Sequence, residues 1–320
     1  MMRRIRPHEH IIYLSHELNL ITSSSTPSSP QYSLPAREWM WSVAVAFALC
    51  LAYVGAVAAA RGWVGATLSR DHPKQIVART LAVCVVCSIA WIPTARSLVA
   101  VDDGDGAQRR SLLRALGLAI GGIAELASAA ARGVATACLL VSGSIGELAA
   151  EFGASQLSWT SFAPRDIAQW RDWVVAPVTE EFFFRACLCS LLRTGGMSAR
   201  ATVACSAALF SLCHVSRLAD LLLVSEPKKE NNVSGWRRFW RVVLATIGPQ
   251  LGFTSLFGAF ASALFLSGGG QGRHLAAPLV AHVLCNWVGA PETPRGVATS
   301  LVGTAVAAAL VGSLWFTPSS

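Results

Sequence analysis

WVVAPVTEEFFFRACLCSLLR, residues 173–193, decides how the rest of this chain is read. At about 1.5 Å per residue it is long enough, as a helix, to cross or deeply enter a bilayer. Yet it carries Glu180, Glu181 and Arg185 among apolar residues. Ionisable groups at membrane depth are costly unless they are paired or line a wet cavity, so they mark a functional site. Glu181 and Arg185 are four residues apart and share a helix face. Glu180 is turned about 100° from them and faces something else. Pro177 removes a backbone hydrogen bond just ahead of the acids, so the helix is expected to start or kink there. Three charges at a helix end in the headgroup region are the alternative, but Phe182, Phe183 and Phe184 drive the segment into hydrocarbon.

Composition agrees with a membrane setting. The 320 residues are 53% hydrophobic and only 14% charged, and the mean hydropathy is +0.49. A soluble globule carries a charged share nearer a quarter. The net charge of +8 is spread through short loops between apolar runs. That distribution fits the positive-inside bias and contact with anionic lipid, not nucleic acid. Most of the nine cysteines, Cys50, Cys138 and Cys285 among them, lie inside apolar runs and read as small buried hydrophobes. Cys84 and Cys87 have metal or redox spacing but no second pair to complete a zinc site.

Residues 1–36 read as a disordered polar leader. Arg3, Arg4 and Arg6 have the look of a targeting peptide, but no apolar core of signal-peptide length follows. His8, His10 and His16 lack the spacing of a metal-binding helix. The Ser, Thr and Pro of residues 22–35 read as linker. Residues 37–320 read as a single membrane-embedded domain, all-α and polytopic, with about eight transmembrane helices around a polar intramembrane cavity. The spans expected besides the central one are 39–60, 77–101 with a bend near Pro93, one or two packed helices in the small-residue run 112–150, 198–224, 242–266, 275–288 and 297–315. Residues 226–240 are expected to form an extramembrane loop. The basic loops 61–79 and 228–241 place those sides in the cytosol.

Three of these helices carry polar groups at membrane depth: Glu180, Glu181 and Arg185; then Phe210 with His214; then His282 with Asn286 on one face. They need one another as partners, and a shared polar cavity satisfies them. A carboxylate whose pKa is raised by desolvation takes a proton from water near neutral pH, and a neighbouring His relays it. A second His with an Asn amide donates to the oxygen that gains charge in a tetrahedral intermediate. No GxSxG elbow is present, so attack by activated water fits better than an acyl-enzyme. Two rivals stay open. Glu180, His214 and His282 are adequate zinc ligands for a metal-bound hydroxide. Buried acids and histidines also line transporters, although the internal repeat of a transporter is not seen.

Glu180-Glu181-x-x-x-Arg185, Phe210-x-x-x-His214 and His282-x-x-x-Asn286, in that order, resemble the motif series of the CAAX prenyl protease 2 family, the Ras-converting enzyme. The wider group is the CAAX protease and bacteriocin-processing family of membrane proteins. APVTEEFFFRACL, HVLCNWVG and the Arg70-Asp71-His72-Pro73 loop add to the likeness, which covers roughly residues 39–316. The resemblance implies a multi-pass endopeptidase of the endoplasmic reticulum membrane with its site open to the cytosol. Its substrates would be prenylated CaaX proteins such as Ras-like small GTPases, which lose their last three residues. Carried over by position, Glu180 would activate water with His214 assisting, His282 and Asn286 would form the oxyanion site, and Glu181, Arg185 and Phe210 would support the geometry. No cofactor is implied, and the membrane lipid that holds the prenyl chain is itself a partner.

Overall fold

The computed structural model describes residues 36–65, 67–99, 112–119, 121–152, 163–214, 233–267, 273–289 and 294–316, all within one unit. Every regular element among the described residues is a helix. In chain order they are α1 (Ala36–Val64), α2 (Pro73–Ala90), α3 (Ile92–Val99), α4 (Ile123–Leu140) and α5 (Ser142–Phe152). Then come α6 (residues 167–194), α7 (Ala199–His214), α8 (Val233–Leu266), α9 (Ala276–Val288) and α10 (Pro294–Phe316). Trp39–Val64, Pro73–Leu98 and Ile123–Leu140 are long and apolar enough to cross a membrane, and Leu251–Leu266 and Ala276–Val288 are shorter apolar helices. The chain is therefore an all-α membrane protein. α1 leaves Trp41, Phe47, Leu51 and Trp63 exposed, as a lipid-facing helix does.

The core sits on α6. Its residues Phe183, Phe184, Cys187, Leu188 and Leu192 have no exposed surface, and α1, α2, α3, α7, α8 and α9 all pack against it. The expected start or kink at Pro177 is corrected in part. The helix begins ten residues earlier, where Asp166 accepts a hydrogen bond from the Gln169 backbone N–H at 2.8 Å. It then runs through Pro177 by widening. Arg171–Val175 and Phe182–Cys189 are wound with bonds to the fifth residue back, as where the Ala176 N–H donates to the Arg171 carbonyl. The first widened turn lies directly ahead of the proline ring and relieves its clash with the preceding turn.

One further boundary falls close to where it is expected and another does not. The bend foreseen near Pro93 falls at Trp91, and Pro93 sits in the first turn of α3, where a missing N–H costs little. The run 226–240, expected as loop, is helical from Val233 onward. Its charge points to an extramembrane position, but Trp, Arg and Phe are acceptable helix formers and no proline interrupts the run before Leu266 except Pro249. Residues 1–35, which hold nearly all of the leader, lie outside the described residues.

The small-residue run resolves into α4 and α5, and its glycines mark close helix crossings. Gly133 of α4 faces the Ala277 carbonyl of α9, Gly143 of α5 faces the backbone of Gly296, and Gly303 of α10 faces the Leu139 carbonyl. A Cβ at any of these positions would collide with backbone, which cannot swing aside. Because α9 carries two of the polar motif residues, the crossing at Gly133 sets how deeply they reach. Gly133→Leu is expected to destabilise the protein by about 1–3 kcal/mol through overpacking. Thermal unfolding in detergent checks this, and an unchanged midpoint would contradict it.

Candidate active site

Three helices deliver the polar residues. α6 carries Glu180, Glu181 and Arg185, α7 carries Phe210 and His214, and α9 carries His282 and Asn286. The most enclosed member is Glu181, which like Arg185 has no exposed surface. Its Oε1 lies 2.7 Å from Nδ1 of His282, and its Oε2 lies 3.1 Å from Nε of Arg185, an ion pair too bent to count as a hydrogen bond. A carboxylate held by a guanidinium is an acceptor, so Nδ1 of His282 carries the hydrogen. The other ring nitrogen, Nε2, faces Glu180, whose Oε2 is 3.9 Å away. Arg185, Glu181, His282 and Glu180 thus form a chain of alternating chemistry across two helices.

Arg185 is satisfied in an unusual way. Its two terminal nitrogens have no hydrogen-bond partner among the described residues. The guanidinium lies instead over the ring of Phe210, 4.6 Å from the centroid, with Phe184 and Phe257 each at 5.9 Å. Aromatic faces attract a desolvated cation by about 2 kcal/mol or more. Phe210 serves the site a second time through its backbone. The Phe210 carbonyl accepts from Nδ1 of His214 at 2.8 Å, which leaves Nε2 of His214 as a free acceptor in the neutral ring. The four-residue spacing of Phe210 and His214 is the spacing this bond needs.

Asn286 reaches the start of α6, where its Nδ2 donates to the Asp172 carbonyl at 2.8 Å. The widened turn explains why that carbonyl is available. Ala176 bonds to Arg171, so in the same register the partner of Asp172 is residue 177, and a proline has no N–H to give. Pro177 therefore opens an acceptor that Asn286 fills. The Arg70-Asp71-His72-Pro73 stretch also docks here. Arg171 pairs with Asp71 at 2.8 Å and with Asp172 at 2.7 Å, and Arg70 lies 3.8 Å from Asp172. His72 caps α2 by accepting from the Lys74 N–H, and Pro73 opens that helix.

Glu180, His214, His282 and Asn286 all line one cavity of about 970 Å3, whose remaining wall is largely apolar and includes Phe253, Leu256, Phe257 and Leu301. A second cavity of about 360 Å3 shares Glu180, His214, Ala176 and Arg70 with the first. Glu180 and His214 therefore stand where the two spaces meet. Among the described residues no three His, Cys, Asp or Glu side chains come together as a metal-holding group. No disulfide joins the cysteines among the described residues. Sequence reasoning missed the Glu181–His282 bond, the Asp172 carbonyl and the arginines of the second cavity. Only the arginines left a trace, in the basic character of the 61–79 loop.

The fold and the site define a class: an all-α membrane protein with carboxylates, imidazoles and a guanidinium sealed among its helices. Residues 167–288, which contain all seven motif residues, match the family described as type II CAAX prenyl endopeptidase Rce1-like. That match covers a little over a third of the chain, and over it the chain is similar to this family. It is similar to CAAX prenyl protease 2 of Arabidopsis thaliana, at 39% identity over 126 residues, which is 39% of this chain and 36% of that protein. It is also similar to CAAX prenyl protease 2 of Homo sapiens, at 27% identity over 265 residues, 78% of this chain and 71% of that one. The match to the Caenorhabditis elegans protein of the same name is 32% over 133 residues, 39% of this chain and 43% of that one. Three of the four curated relatives are thus matched over less than half of their own length. No solved structure matches the chain.

The burial of Glu181 makes the site sensitive to loss of its cation. Arg185→Met is expected to cost about 3–5 kcal/mol, the penalty for stranding one partner of a buried pair. Unfolding in detergent measures it, and a variant within about 0.5 kcal/mol of wild type, as at an ordinary surface position, would contradict this account.

Proposed function

We propose that the chain is an intramembrane endopeptidase that removes the C-terminal tripeptide from prenylated CaaX proteins by means of activated water. The observation that carries the proposal is the position of Glu180, 3.9 Å from His282 and on the wall of both cavities with His214. The family match and the relatives' names supply the reaction class.

In the reaction we envisage, the Glu180 carboxylate takes a proton from water as the oxygen attacks the scissile carbonyl. The free Nε2 of His214 accepts or passes on that proton, which ends on the leaving amine, so one water is consumed per peptide bond cut. The second amide hydrogen of Asn286 donates to the oxygen that becomes negative, and His282, whose single N–H in the neutral ring is committed to Glu181, donates from Nε2 as well only when the ring takes up a second proton. Glu181 and Arg185 fix the ring of His282, and Phe210 fixes both Arg185 and His214. A bent or floppy donor would lose most of its value, since such sites act by being set in advance.

The large cavity suits the prenyl chain. Its apolar wall offers a lipid-like surface, and a chain that partitions into the bilayer reaches an intramembrane site without leaving hydrocarbon. The substrates we assign are prenylated CaaX proteins such as Ras-like small GTPases. The assigned location is the endoplasmic reticulum membrane, with the site open to the cytosol, where prenylated tails are presented. Residues 1–36 we assign as a polar leader and residues 37–320 as the protease domain. No metal takes part in this scheme.

Purified protein is expected to release a tripeptide from a farnesylated CaaX peptide. Glu180→Ala and His214→Ala are each expected to lower the rate by about 10²- to 10⁴-fold, the usual worth of a positioned acid–base group. Equal rates for wild type and Glu180→Ala would remove Glu180 from its role. A strong chelator should leave the rate unchanged. Inhibition that zinc reverses would replace this scheme with one in which Glu180, His214 and His282 hold the metal.

A further inference from the structure

The smaller cavity has a wall unlike the larger one. Four arginines line it, Arg61, Arg70, Arg79 and Arg171, together with Glu180 and His214. Arg171 is matched by Asp71 and Asp172. Arg70 is only loosely engaged, at 3.8 Å from Asp172 and with its side chain 41% exposed. Arg79 projects from α2, within the span Pro73–Leu98, and its Nε is sealed from solvent with no hydrogen-bond partner among the described residues. A buried guanidinium N–H left without an acceptor is costly. A cluster of arginines with one sealed guanidinium nitrogen unpaired calls for an anion.

We propose that this cavity holds the free C-terminal carboxylate of the peptide being cut, with Arg79 and Arg70 as its anchors. The inference rests on the endopeptidase reading above and gives that site its rule for length. A peptide bond three residues from the chain end lies about 10 Å from the terminal carboxylate when extended. The carboxylate must therefore sit in a space adjoining the attacking group. The arginine cavity adjoins it through Glu180, and its volume of about 360 Å3 is within the range of small-ligand pockets. The same cavity is lined by Glu180 and by the arginines, so a carboxylate end finds cationic partners in a space that also holds the attacking group. Guanidinium suits this task because its fork matches a carboxylate. A lipid phosphate is the other anion available in a membrane. It is disfavoured because the cavity opens onto the reacting groups, which a headgroup would obstruct.

The test compares two farnesylated CaaX peptides of one sequence, one ending in the free acid and one in the carboxamide. Wild-type protein should prefer the acid by about 10- to 100-fold in kcat/KM, mostly through KM, as expected for a charge-assisted bond. In Arg79→Gln the acid-to-amide ratio should fall towards one. Arg70→Gln, at a partly exposed position, should reduce the ratio too and covers the case in which Arg79→Gln does not fold. Cleavage of both peptides at equal rates by wild type overturns the proposal while leaving the endopeptidase reading intact. If phosphatidylserine vesicles also slow that cleavage relative to neutral ones, the arginines belong to lipid. Discrimination that survives in both variants likewise overturns it. Cleavage of neither peptide overturns the endopeptidase reading, and this inference with it.

Discussion

The contact on which the structure depends is the buried bond between Glu181 and His282, 2.7 Å long and shielded from solvent on both sides. A lone carboxylate at this depth costs several kcal/mol, and a lone guanidinium costs as much. Each is tolerable here only because of the others. Arg185 balances the charge of Glu181, three aromatic rings cover Arg185, and His282 takes the remaining carboxylate oxygen. The price of burying these groups becomes a specification for the fold: α9 must lie against α6 at the depth that closes this bond. Gly133, which lets α4 come up close behind α9, is part of that specification.

α6 carries its own adaptation. A regular helix through Pro177 would be bent by the ring and would leave a carbonyl exposed to hydrocarbon. The widened turn before the proline shifts the free carbonyl to Asp172, and Asn286 of α9 claims it. So α6 and α9 are joined twice, by Glu181 to His282 and by Asp172 to Asn286, about ten residues apart on α6. Local irregularities of this kind are frequent at functional sites. Here the irregularity holds the second helix in place. The outcome is that Glu180, which takes part in neither joint, is left facing open space.

Much of this could be read from the sequence. Hydropathy and length locate apolar helices because a bilayer tolerates only helices with internally satisfied backbones, and three of those among the described residues are long and apolar enough to cross one. Residues 39–60 fall inside α1, and residues 275–288 coincide with α9 to one residue. Helix periodicity also pairs Glu181 with Arg185 and turns Glu180 away, which needs only 3.6 residues per turn. What periodicity does not supply is the partner across helices. Nothing within residues 173–193 indicates that Glu181 reaches a histidine 101 positions later, since that depends on how α9 lies on α6. The start of α6 was missed because Pro177 is the stronger local signal, while the Asp166 cap lies beyond the apolar run. Residues 233–240 are helical although their charge reads as loop, because charge reports exposure and not backbone conformation.

The two cavities give the site its logic. One is large and mostly apolar, the other is smaller with four arginines in its lining, and Glu180, His214, Ala176 and Arg70 line both. On the function proposed above, a lipidated peptide with a charged end has a part to match each of them. That correspondence requires α6, α7 and α9 to be held as described, and the Glu181–His282 bond is the most exposed point of the account. A double-mutant cycle with Glu181→Gln, His282→Ala and the double variant, read by unfolding in detergent, measures it directly. The account predicts a coupling of about 1–3 kcal/mol, as for side chains in direct contact. Additive effects, with coupling below about 0.3–0.5 kcal/mol, would mean that the two residues do not touch and that α9 does not lie where this structure has it.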